Sequence, residues 1–404
     1  MIRLAWRNIW RNRRRSLITI ASVFVAVFLT IVMMSYSNGT WGKMIDNMLH
    51  TQAGHIEIHQ KGYWDDKVID NFMTMDSETI AQLRGTDNIE SVAPRVEVFA
   101  LAAAEKITKG VAIIGIDPVE ENKKSRLANR LVEGNYLDSN DTGLLIGKKL
   151  SEYLRVVPGD SLALIGQGYH GASAVGLFPI RGIVSLITPD MDRSMLYMTV
   201  GSAQEFIDMP NGYSGMLIAL NDGNQLKATM QVVEEKIDSS VYDVLPWTIT
   251  MDRLLKQKES DQAFSIIILV ILYLIVGFGI LGTVLMMTNE RRREFGMMIA
   301  LGMQRGKLGR NIATELLLMS CIGAVAALIV CVPLVGYFHL HPIPLSGEMA
   351  TMMNAYGIEP VLPMDASPTL FISQVIIVLI ITCFTLVYPI RVIRTLDTNK
   401  AIRL

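Results

Sequence analysis

The chain has 404 residues, of which half are hydrophobic and 19% are charged. This composition is too apolar for an ordinary soluble protein and too polar for a chain that lies wholly in a membrane. The three cysteines, Cys321, Cys331 and Cys383, all lie in apolar runs, which excludes a disulfide in the polar part of the chain. The net charge of −1 hides a strong asymmetry along the sequence.

Residues 1–16 form the first predicted element. They carry six arginines and no acidic residue, and Leu4, Trp6, Ile9 and Trp10 stand between the arginines. This pattern favours an amphipathic helix at the inner membrane interface, with its rings at headgroup depth. The alternative interpretation is that the arginines serve only as a topology signal.

Four apolar runs are each long enough to cross about 30 Å of hydrocarbon as a helix. The first could instead be a signal peptide, but no small-residue cleavage pattern follows it. The third contains Glu315 as its only charged residue. We therefore predict an α-helical membrane protein with four transmembrane helices, within Leu17–Tyr36, Phe264–Thr288, Ile312–Phe338 and Leu370–Ile390.

The distribution of lysine and arginine between the loops predicts the orientation of these spans. Three segments, 1–16, 289–311 and 391–404, hold 16 of the 37 basic residues. With four spans these segments must share one side, and their basic excess predicts that this side is the cytoplasm. We therefore expect a multi-pass inner-membrane protein whose N and C termini are both cytoplasmic.

The fold class that follows is four transmembrane helices plus a large extracytoplasmic α+β domain, with two subdomains, inserted between helices 1 and 2. The predicted boundaries are 1–16 for the amphipathic helix, 17–37 for span one, 38–261 for the extracytoplasmic domain, 262–288 for span two with its stalk, 289–311 for the cytoplasmic loop, 312–338 for span three, 339–368 for a second extracytoplasmic loop, 369–390 for span four and 391–404 for the tail.

Residues 38–261 have the composition of a globular domain and carry 21 basic and 31 acidic residues. That balance disfavours binding to nucleic acid or to an anionic membrane surface. We expect an impermeant amine reagent to label Lys124 and Lys227 from outside.

Short apolar or alternating runs predict strands at 55–59, 91–100, 111–116, 143–146, 161–165, 180–184, 195–198 and 216–220. Helical periodicity predicts helices at 76–84, 148–154, 202–209 and 225–239, with Ser202 as an N-cap.

Span two follows a polar, helix-compatible stretch, Thr250–Gln262, which predicts a single helical stalk that couples the outer domain to the membrane. Gly277, Gly279 and Gly282 would allow another helix to approach closely, or would act as local flexible points. The sequence leaves these two interpretations open.

The loop between spans two and three, NERRREFGMMIALGMQRGKLGRN at 289–311, contains a short amphipathic helix. Phe295, Met298, Ile299 and Gly302 follow the i, i+3, i+4, i+7 spacing of one apolar stripe. Because this apolar stripe would otherwise face water, another surface must pack against it. From the residues alone, it could fold against the chain's own spans or insert into a cleft on a separate protein.

Sites that bind phosphate or a metal have little support in the sequence. GLLIGKKL at 143–150 has three residues between its glycines where a phosphate loop has four, and it lacks the following Ser or Thr. The pairs His55 with His59 and His339 with His341 are too few for a metal centre, and Asp190 with Asp192 is typical of a turn. We predict no catalytic, cofactor or metal site, and therefore no enzyme.

Glu315 is the only ionisable residue inside a span, and it lies near the cytoplasmic end. Carriers driven by protons or ions place such groups near the midplane. The lack of ionisable groups near the midplane of these spans indicates that another protein supplies the energy that drives this one.

Five segments together resemble the FtsX-like ABC permease superfamily, which includes macrolide-exporter and lipoprotein-releasing permeases. LAWRNIWRNRRRSLITI resembles its opening, and the 289–311 loop resembles its cytoplasmic segment. YPIRVIRTLDTNKAIR resembles its C-terminal signature, with Tyr388-Pro389 and Ala401-Ile402-Arg403 in matching places. GLLIGKKLSEYLRVVPGDSLAL and GIVSLITPDMDRSMLYMTVGSAQEFIDM are similar to its large outer domain.

The resemblance implies a type VII ABC transporter that works by mechanotransmission, with a second permease copy or paralogue and two ABC ATPase subunits. The chain starts at the amphipathic segment, so we expect the ATPase, which would bind ATP and magnesium, on a separate chain. By this resemblance, the helix in 289–311 would be the coupling helix. The resemblance therefore favours the ATPase as the surface that covers the apolar stripe. Its ATPase-contacting residues would be Glu294, Phe295, Gly296, Met298, Ile299, Ala300, Leu301, Gly302 and Arg305.

Within the superfamily, QAGHIEIHQKGYW after span one is closer to lipoprotein-releasing permeases than to macrolide exporters. Lipoprotein extraction toward a periplasmic carrier is therefore the leading expectation. Efflux of peptides, toxins or drugs with a periplasmic adaptor and an outer-membrane channel is the alternative. Under the first, Val32, Met33, Phe264 and Ile268 would line an entrance for acyl chains; ordinary lipid contact is the other interpretation of these residues.

Overall fold

The structure is a computed structural model, and it describes residues 2–11, 13–51, 53–186, 188–348, 350 and 360–395. The chain divides into two compact units. The membrane unit comprises Met1–Lys43, Gln257–Pro344 and Val361–Leu404. The inserted domain comprises Met44–Lys256 and Leu345–Pro360.

The described helices and strands are as follows. The helices are α1 (Ile2–Arg11), α2 (Arg13–Thr51), α3 (Ser77–Arg84), α4 (Pro118–Ser125), α5 (Lys148–Leu154), α6 (Pro189–Ser194), α7 (Val200–Phe206), α8 (Leu226–Lys236), α9 (Trp247–Thr250), α10 (Asp252–Glu290), α11 (Arg292–Ala300), α12 (Arg305–Leu340), α13 (Pro368–Thr385) and α14 (Val387–Thr395). The strands are β1 (Ile56–Gln60), β2 (Met73–Thr74), β3 (Ile89–Ala104), β4 (Ile107–Ile116), β5 (Leu131–Gly134), β6 (Leu144–Gly147), β7 (Ser161–Gln167), β8 (Ser173–Val184), β9 (Met195–Thr199), β10 (Gly212–Tyr213), β11 (Gly215–Leu220), β12 (Tyr242–Pro246), β13 (Ile343–Pro344) and β14 (Val361–Leu362).

Four helical segments of the described chain are long and apolar enough to cross a membrane, which confirms the predicted fold class. They lie in α2, in α10, in α12 and in α13 with α14. Helices α2 and α10 each have 39 residues, so each is ~58 Å long and exceeds the hydrocarbon thickness about twofold. Helix α10 is continuous from Asp252, as the stalk hypothesis requires.

The spans of the membrane unit pack through small and polar residues. A Cβ on Gly323 of α12 would lie 2.7 Å from the Ile20 carbonyl oxygen and 2.9 Å from Val23 Cβ, so a glycine is needed where α2 crosses. Ser320 of α12 and Thr382 of α13 share a buried hydrogen bond of 2.9 Å. Tyr273 of α10 donates to Gln374 of α13.

Span two is the least packed of the four. Only 11% of its apolar stretch is buried, against 39% in span three. Of its glycines, Gly277 has one neighbour from another helix, Ile381, at 3.5 Å from an added Cβ, while Gly279 and Gly282 face open space in this chain. Within the described part of the chain, Gly277 is therefore the one glycine of the three that lies near another helix, and that contact is at ordinary van der Waals distance.

The inserted domain is built on one large mixed sheet, which confirms its predicted combination of helices and strands. The described strands follow the order β12-β1-β11-β3-β4-β9-β6-β8-β5, and β7 pairs with both β3 and β8. Most pairs are antiparallel, and β4–β9 and β6–β8 are parallel. Every strand predicted for this domain has a counterpart, and β3 and β8 are longer than predicted.

Two local predictions for this domain are wrong. The helix predicted from Ser202 begins at Val200, and Thr199 caps it by accepting a hydrogen bond from the Ser202 amide at 3.3 Å. The segment around Asp190 and Asp192 is a short helix rather than a plain turn. Asp192 is 4% exposed, and its carboxylate accepts hydrogen bonds from three backbone amides, which offset the cost of burying it.

A buried charge cluster connects β3 with α4. Arg95 donates from Nη2 to both carboxylate oxygens of Glu121, at 3.0 and 3.1 Å, and to the Thr51 carbonyl oxygen at 3.3 Å. Lys124 is 4% exposed, and among the described residues its Nζ has no hydrogen-bond partner. The expectation that Lys124 reacts with an amine reagent is therefore wrong, since α4 turns this lysine inward.

Burial lowers the pKa of Lys124 to about 7; Arg95 lowers it as well, and Glu121 opposes both. Between this value and the unfolded pKa near 10.4, the unfolded chain binds more protons, so stability rises with pH. Below pH 7 the cost of the buried charge is fully present. We expect Lys124→Met to stabilise the inserted domain by a few kcal/mol at pH 6, and the gain to vanish toward pH 10.

Thermal unfolding at pH 6, 8 and 10 measures this gain. Lys123→Met is the matched control, because Lys123 is exposed and pairs with Glu120 at the surface. A constant gain across this pH range would show that Lys124 is not a buried titrating amine, as would equal gains in both variants.

Candidate functional site: the segment between spans two and three

The segment 289–311, called the interspan segment below, contains the end of α10, the whole of α11 and the start of α12. Helix α10 ends at Glu290, and Arg291 leaves the helical conformation with φ −88° and ψ 4°. Helix α11 follows, and Gly302 ends the turn after it at φ +94°. That conformation favours glycine, so a side chain at 302 would be strained even though open space surrounds it.

A buried ion pair joins the interspan segment to span three. Arg291 and Glu315 are 6% and 1% exposed, and Arg291 Nη1 donates to both Glu315 carboxylate oxygens, at 3.1 and 3.0 Å. Asn8 of α1 donates to the same carboxylate at 3.3 Å. The lone acidic residue of the spans is therefore the anchor of a network between three helices.

Further ion pairs connect helices α1 and α2 to the segment. Arg11 donates to both carboxylate oxygens of Glu294, at 3.1 and 2.9 Å, and Arg15 pairs with Glu290. These contacts are more exposed than the Arg291 pair, so each adds little stability. Together they fix the start of α11 relative to the N-terminal helices.

The predicted apolar stripe packs onto the chain's own spans. Phe295 is 1% exposed and belongs to the same apolar cluster as Ile9, Leu308 and Ile312, and Met298 and Ile299 pack against that cluster half-buried. Gly296 is buried as well. The structure thus favours the first of the two covers, and the preference for a partner at Phe295 is wrong because no surface of that ring is left.

The opposite side of the segment carries apolar side chains in the open. Leu301 is 87% exposed, and Met297 and Met303 are 45% and 41% exposed. Ala300, Gly302 and Arg305 are exposed too. Sequence periodicity did not identify Met297 and Met303, because they lie outside the stripe. The available signal was an apolar pair at i and i+4, Met297 and Leu301, beside two arginines.

The four predicted entrance residues all lie in the membrane unit. Phe264 and Ile268 on α10 are exposed, at 66% and 40%, and Val32 and Met33 on α2 are half-buried. Their apolar surface is open to lipid, which is compatible with both interpretations given above.

Other sequence motifs have structural roles. The amides of Lys148 and Lys149, which would face a phosphate, donate to Asp192 at 3.0 and 3.1 Å. His59 lies 3.1 Å from Glu57 and donates to the Ser214 carbonyl oxygen at 2.8 Å. His339 contacts the Met364 carbonyl oxygen at 2.6 Å. In the described ranges no three residues of the types His, Cys, Asp or Glu are grouped to hold a metal ion.

Helix α14 completes the environment of the segment. Arg305 Nη1 donates to the Arg394 carbonyl oxygen at 2.6 Å, which connects the start of α12 to the end of α14. Tyr388-Pro389 of the predicted C-terminal signature lies in α14, and Ala401-Ile402-Arg403 lies outside the described residues.

Two protein families match this chain over nearly its whole length. Residues 16–236 match the MacB-like periplasmic core domain, and residues 266–398 match the FtsX-like permease C-terminal family. Among solved structures, the periplasmic region of MacB from Actinobacillus actinomycetemcomitans has a TM-score of 0.38 at 11% identity, covering 53% of this chain and 98% of that one.

Curated relatives come from two kinds of system. The lipoprotein-releasing system transmembrane protein LolC of Neisseria meningitidis is 24% identical, over 80% of this chain and 77% of that protein. The pyoverdine export ATP-binding/permease protein PvdT of Pseudomonas fluorescens is 22% identical, over 88% and 55%. The macrolide export ATP-binding/permease protein MacB 2 of Aeromonas hydrophila is 21% identical, over 80% and 50%.

The chain thus spans about half the length of the two exporters it matches. The match to the core domain alone extends over more than half of this chain. It starts in the first span, covers most of the sheet, and is followed by the match to the permease part. The chain belongs to the FtsX-like, type VII ABC transporter permeases that carry a MacB-like periplasmic core domain.

Proposed function

We propose that this chain is the permease subunit of an ATP-driven mechanotransmission transporter in the inner membrane. Both termini and the interspan segment face the cytoplasm, and the inserted domain faces the periplasm. The segregation of 16 of 37 basic residues into three short segments supports this orientation.

The power enters through the exposed side of the interspan segment. One observation carries this proposal. One face of α11 packs against the spans through Phe295, and its other face exposes the apolar side chains of Met297 and, just after the helix, Leu301. A partner ATPase, which binds ATP and magnesium on its own chain, covers the open face. Two such ATPases serve a pair of permeases, the second being another copy or a paralogue.

Motion of α11 has defined routes through the membrane unit. The buried Arg291–Glu315 pair transfers a displacement to span three, and the Arg11–Glu294 pair transfers it to α1. Helix α10 is one continuous helix from Asp252 to Glu290, which supports a role for span two in force transmission. This chain therefore contributes force transmission rather than bond chemistry.

The substrate we propose is a lipoprotein, extracted from the outer leaflet of the inner membrane toward a periplasmic carrier. The support is the relative LolC, of which this chain covers 77%. The sparsely packed span two also gives Phe264 and Ile268 an open apolar surface for acyl chains. Efflux with a periplasmic adaptor remains the second candidate, and similarity to the two exporters favours it.

Photocrosslinkers at positions 264 and 268 test the substrate in vesicles that contain permease, ATPase and an acylated protein. We expect ATP-dependent capture of the lipoprotein, and its release to a soluble carrier. Position 325 is the control, because the exposed fraction of Val325 in span three, 53%, lies between those of Phe264 and Ile268. Capture of phospholipid alone, together with copurification of an adaptor, would reject extraction in favour of efflux.

Orientation is tested separately by labelling intact cells or inside-out vesicles. In a variant without Cys321, Cys331 and Cys383, a cysteine in place of Arg292 should react only from the cytoplasmic side. The exposed Lys227 should react with an impermeant amine reagent only from the periplasmic side, with Lys227→Arg as the control. Labelling of Lys227 from the cytoplasm would overturn the proposed topology.

A further inference from the structure

A cleft of about 720 Å³ opens in the inserted domain, and nothing in the proposed transport cycle uses it. This volume suits a small ligand or a few amino-acid residues. The cleft lies between β1, β3 and the segment that follows β1. Its charged and aromatic lining includes Glu57, His59, Tyr63, Trp64, Arg95 and Glu97.

An exposed apolar surface continues from this cleft along the sheet. On β3, Glu97, Phe99 and Leu101 alternate with buried residues and therefore point to one face. Phe99 is 83% exposed. Leu101 pairs with Ile165 of β7, and Ile165 pairs with Val175 of β8. We call this set the apolar strip: Phe99, Leu101, Ile165, Val175 and Leu177, all exposed.

The cleft and the apolar strip form a continuous surface. Phe99, Ala112 and Ser194 line both the cleft and a shallow groove of about 410 Å³ over the strip. Contiguous exposed apolar side chains on a soluble domain mark sites of interaction. A ligand of this surface therefore has an apolar part next to the part that enters the cleft.

The lining of the cleft carries more negative than positive side chains, with Glu57, Asp70 and Glu97 against Lys67 and Arg95. Arg95 is neutralised by Glu121, with which it shares two hydrogen bonds near 3 Å. Glu97 reaches Arg95 only at 3.5 Å, and its side chain is 47% exposed. Burial raises the pKa of Tyr63, and the negative charges of Glu97 and Glu57 raise it further. A cation is thus the charge that this wall favours.

An ammonium group of the chain itself already occupies the mouth of the cleft. Lys67 Nζ lies 3.4 Å from the centroid of the Trp64 ring, and both residues line the cleft. Cations bind to the face of tryptophan more strongly than to other aromatic rings. The pair shows the geometry that a ligand cation would adopt there.

We propose that the cleft and the apolar strip together bind a cationic amphipathic peptide segment. Its ammonium or guanidinium group lies between Glu97 and Trp64, and its apolar side chains pack on the strip. The strip is an open sheet face, which fits separate side chains better than a long acyl chain. This inference does not depend on whether the transporter extracts lipoproteins or exports other molecules.

Fluorescence anisotropy with the full chain in zwitterionic nanodiscs tests the proposal. The first probe is a dye-labelled, end-capped pentapeptide, Lys-Gly-Leu-Val-Leu. The second has Glu in place of Lys, and the third has Ser in place of its three apolar residues; empty nanodiscs give the blank. We expect the first peptide to bind at least about tenfold more tightly than either of the others.

Protein variants assign each part of the peptide to its part of the surface. Glu97→Gln should weaken binding of the first peptide about fivefold or more, and Val175→Ser should do the same. Lys67→Met should strengthen it, because the competing ammonium is gone. Glu90→Gln and Val132→Ser are matched controls, since both residues are exposed and lie outside the cleft and the strip.

Melting temperatures equal to that of the parent verify that each variant folds. Equal binding of the acidic and basic peptides would overturn the proposal. So would a first peptide that binds the parent no better than empty nanodiscs, or unchanged affinity in both Glu97→Gln and Val175→Ser.

Discussion

Glu315→Leu is expected to destabilise the membrane unit by about 3–5 kcal/mol, because it leaves Arg291 buried without its partner. Both side chains are almost fully buried, and their carboxylate and guanidinium groups share two hydrogen bonds. Asn8 would also lose its acceptor. Thermal unfolding of the purified permease, followed by size-exclusion chromatography, measures the loss.

The companion variants separate the cost of a lone charge from the value of the pair. Arg291→Met combined with Glu315→Leu should recover most of the lost stability, since replacing a whole buried ion pair with apolar residues is often nearly neutral. Glu290→Gln breaks only the more exposed pair with Arg15 and should cost less than about 1 kcal/mol. Equal losses for Glu290→Gln and Glu315→Leu would refute the role of the buried pair.

Leu301→Asp is expected to weaken ATPase assembly tenfold or more while the permease remains folded. Leu301 is 87% exposed, so the free permease loses almost no packing. At an apolar interface, burying a leucine contributes about 1.5–3 kcal/mol, and a buried carboxylate would add a penalty. Copurification of tagged permease with its ATPase, and ATP turnover of the complex, measure the effect.

Phe295→Asp provides the contrast inside α11, for which Leu301 is the C-cap residue. Phe295 is 1% exposed in the apolar cluster of the membrane unit, so the carboxylate should destabilise the permease itself by about 3 kcal/mol or more. If Phe295→Asp folded normally and lost only the ATPase, the orientation of α11 described above would be wrong. Lys307→Ala, at an exposed position after the helix, should leave assembly unchanged.

Periodicity and hydropathy were enough to predict the spans and most strands of the inserted domain. A run of 25 uncharged, mostly apolar residues in span two admits few structures other than a buried or membrane-crossing helix. The alternating sequence of β3 likewise predicts a half-buried strand. These features depend on near neighbours in the chain, which a single sequence contains.

Tertiary partners could not be predicted in the same way. The sequence identified Glu315 as an isolated acid, but its partner Arg291 is 24 positions away and belongs to another element. The i, i+3, i+4 pattern at Phe295 correctly predicted an apolar face, but a pattern does not specify what covers that face. The cover is a matter of packing between distant helices.

Lys124 illustrates a further limit. Helix α4, with the sequence PVEENKKS, is mostly polar, and nothing in its sequence distinguishes the exposed Lys123 from the buried Lys124. The difference arises from Arg95 and Glu121, which pair inside the domain. Asp192 is similar, because its role depends on amide groups more than 40 positions away.

A photocrosslinker at position 301 tests whether the open face of α11 receives the ATPase. We expect the permease with this crosslinker to form an adduct with the ATPase in membranes, and a crosslinker at the lipid-exposed position 325 to form none. An adduct with the ATPase at 325 as strong as at 301, or no ATPase adduct at 301 in an actively transporting complex, would show that the open face of α11 does not receive the ATPase.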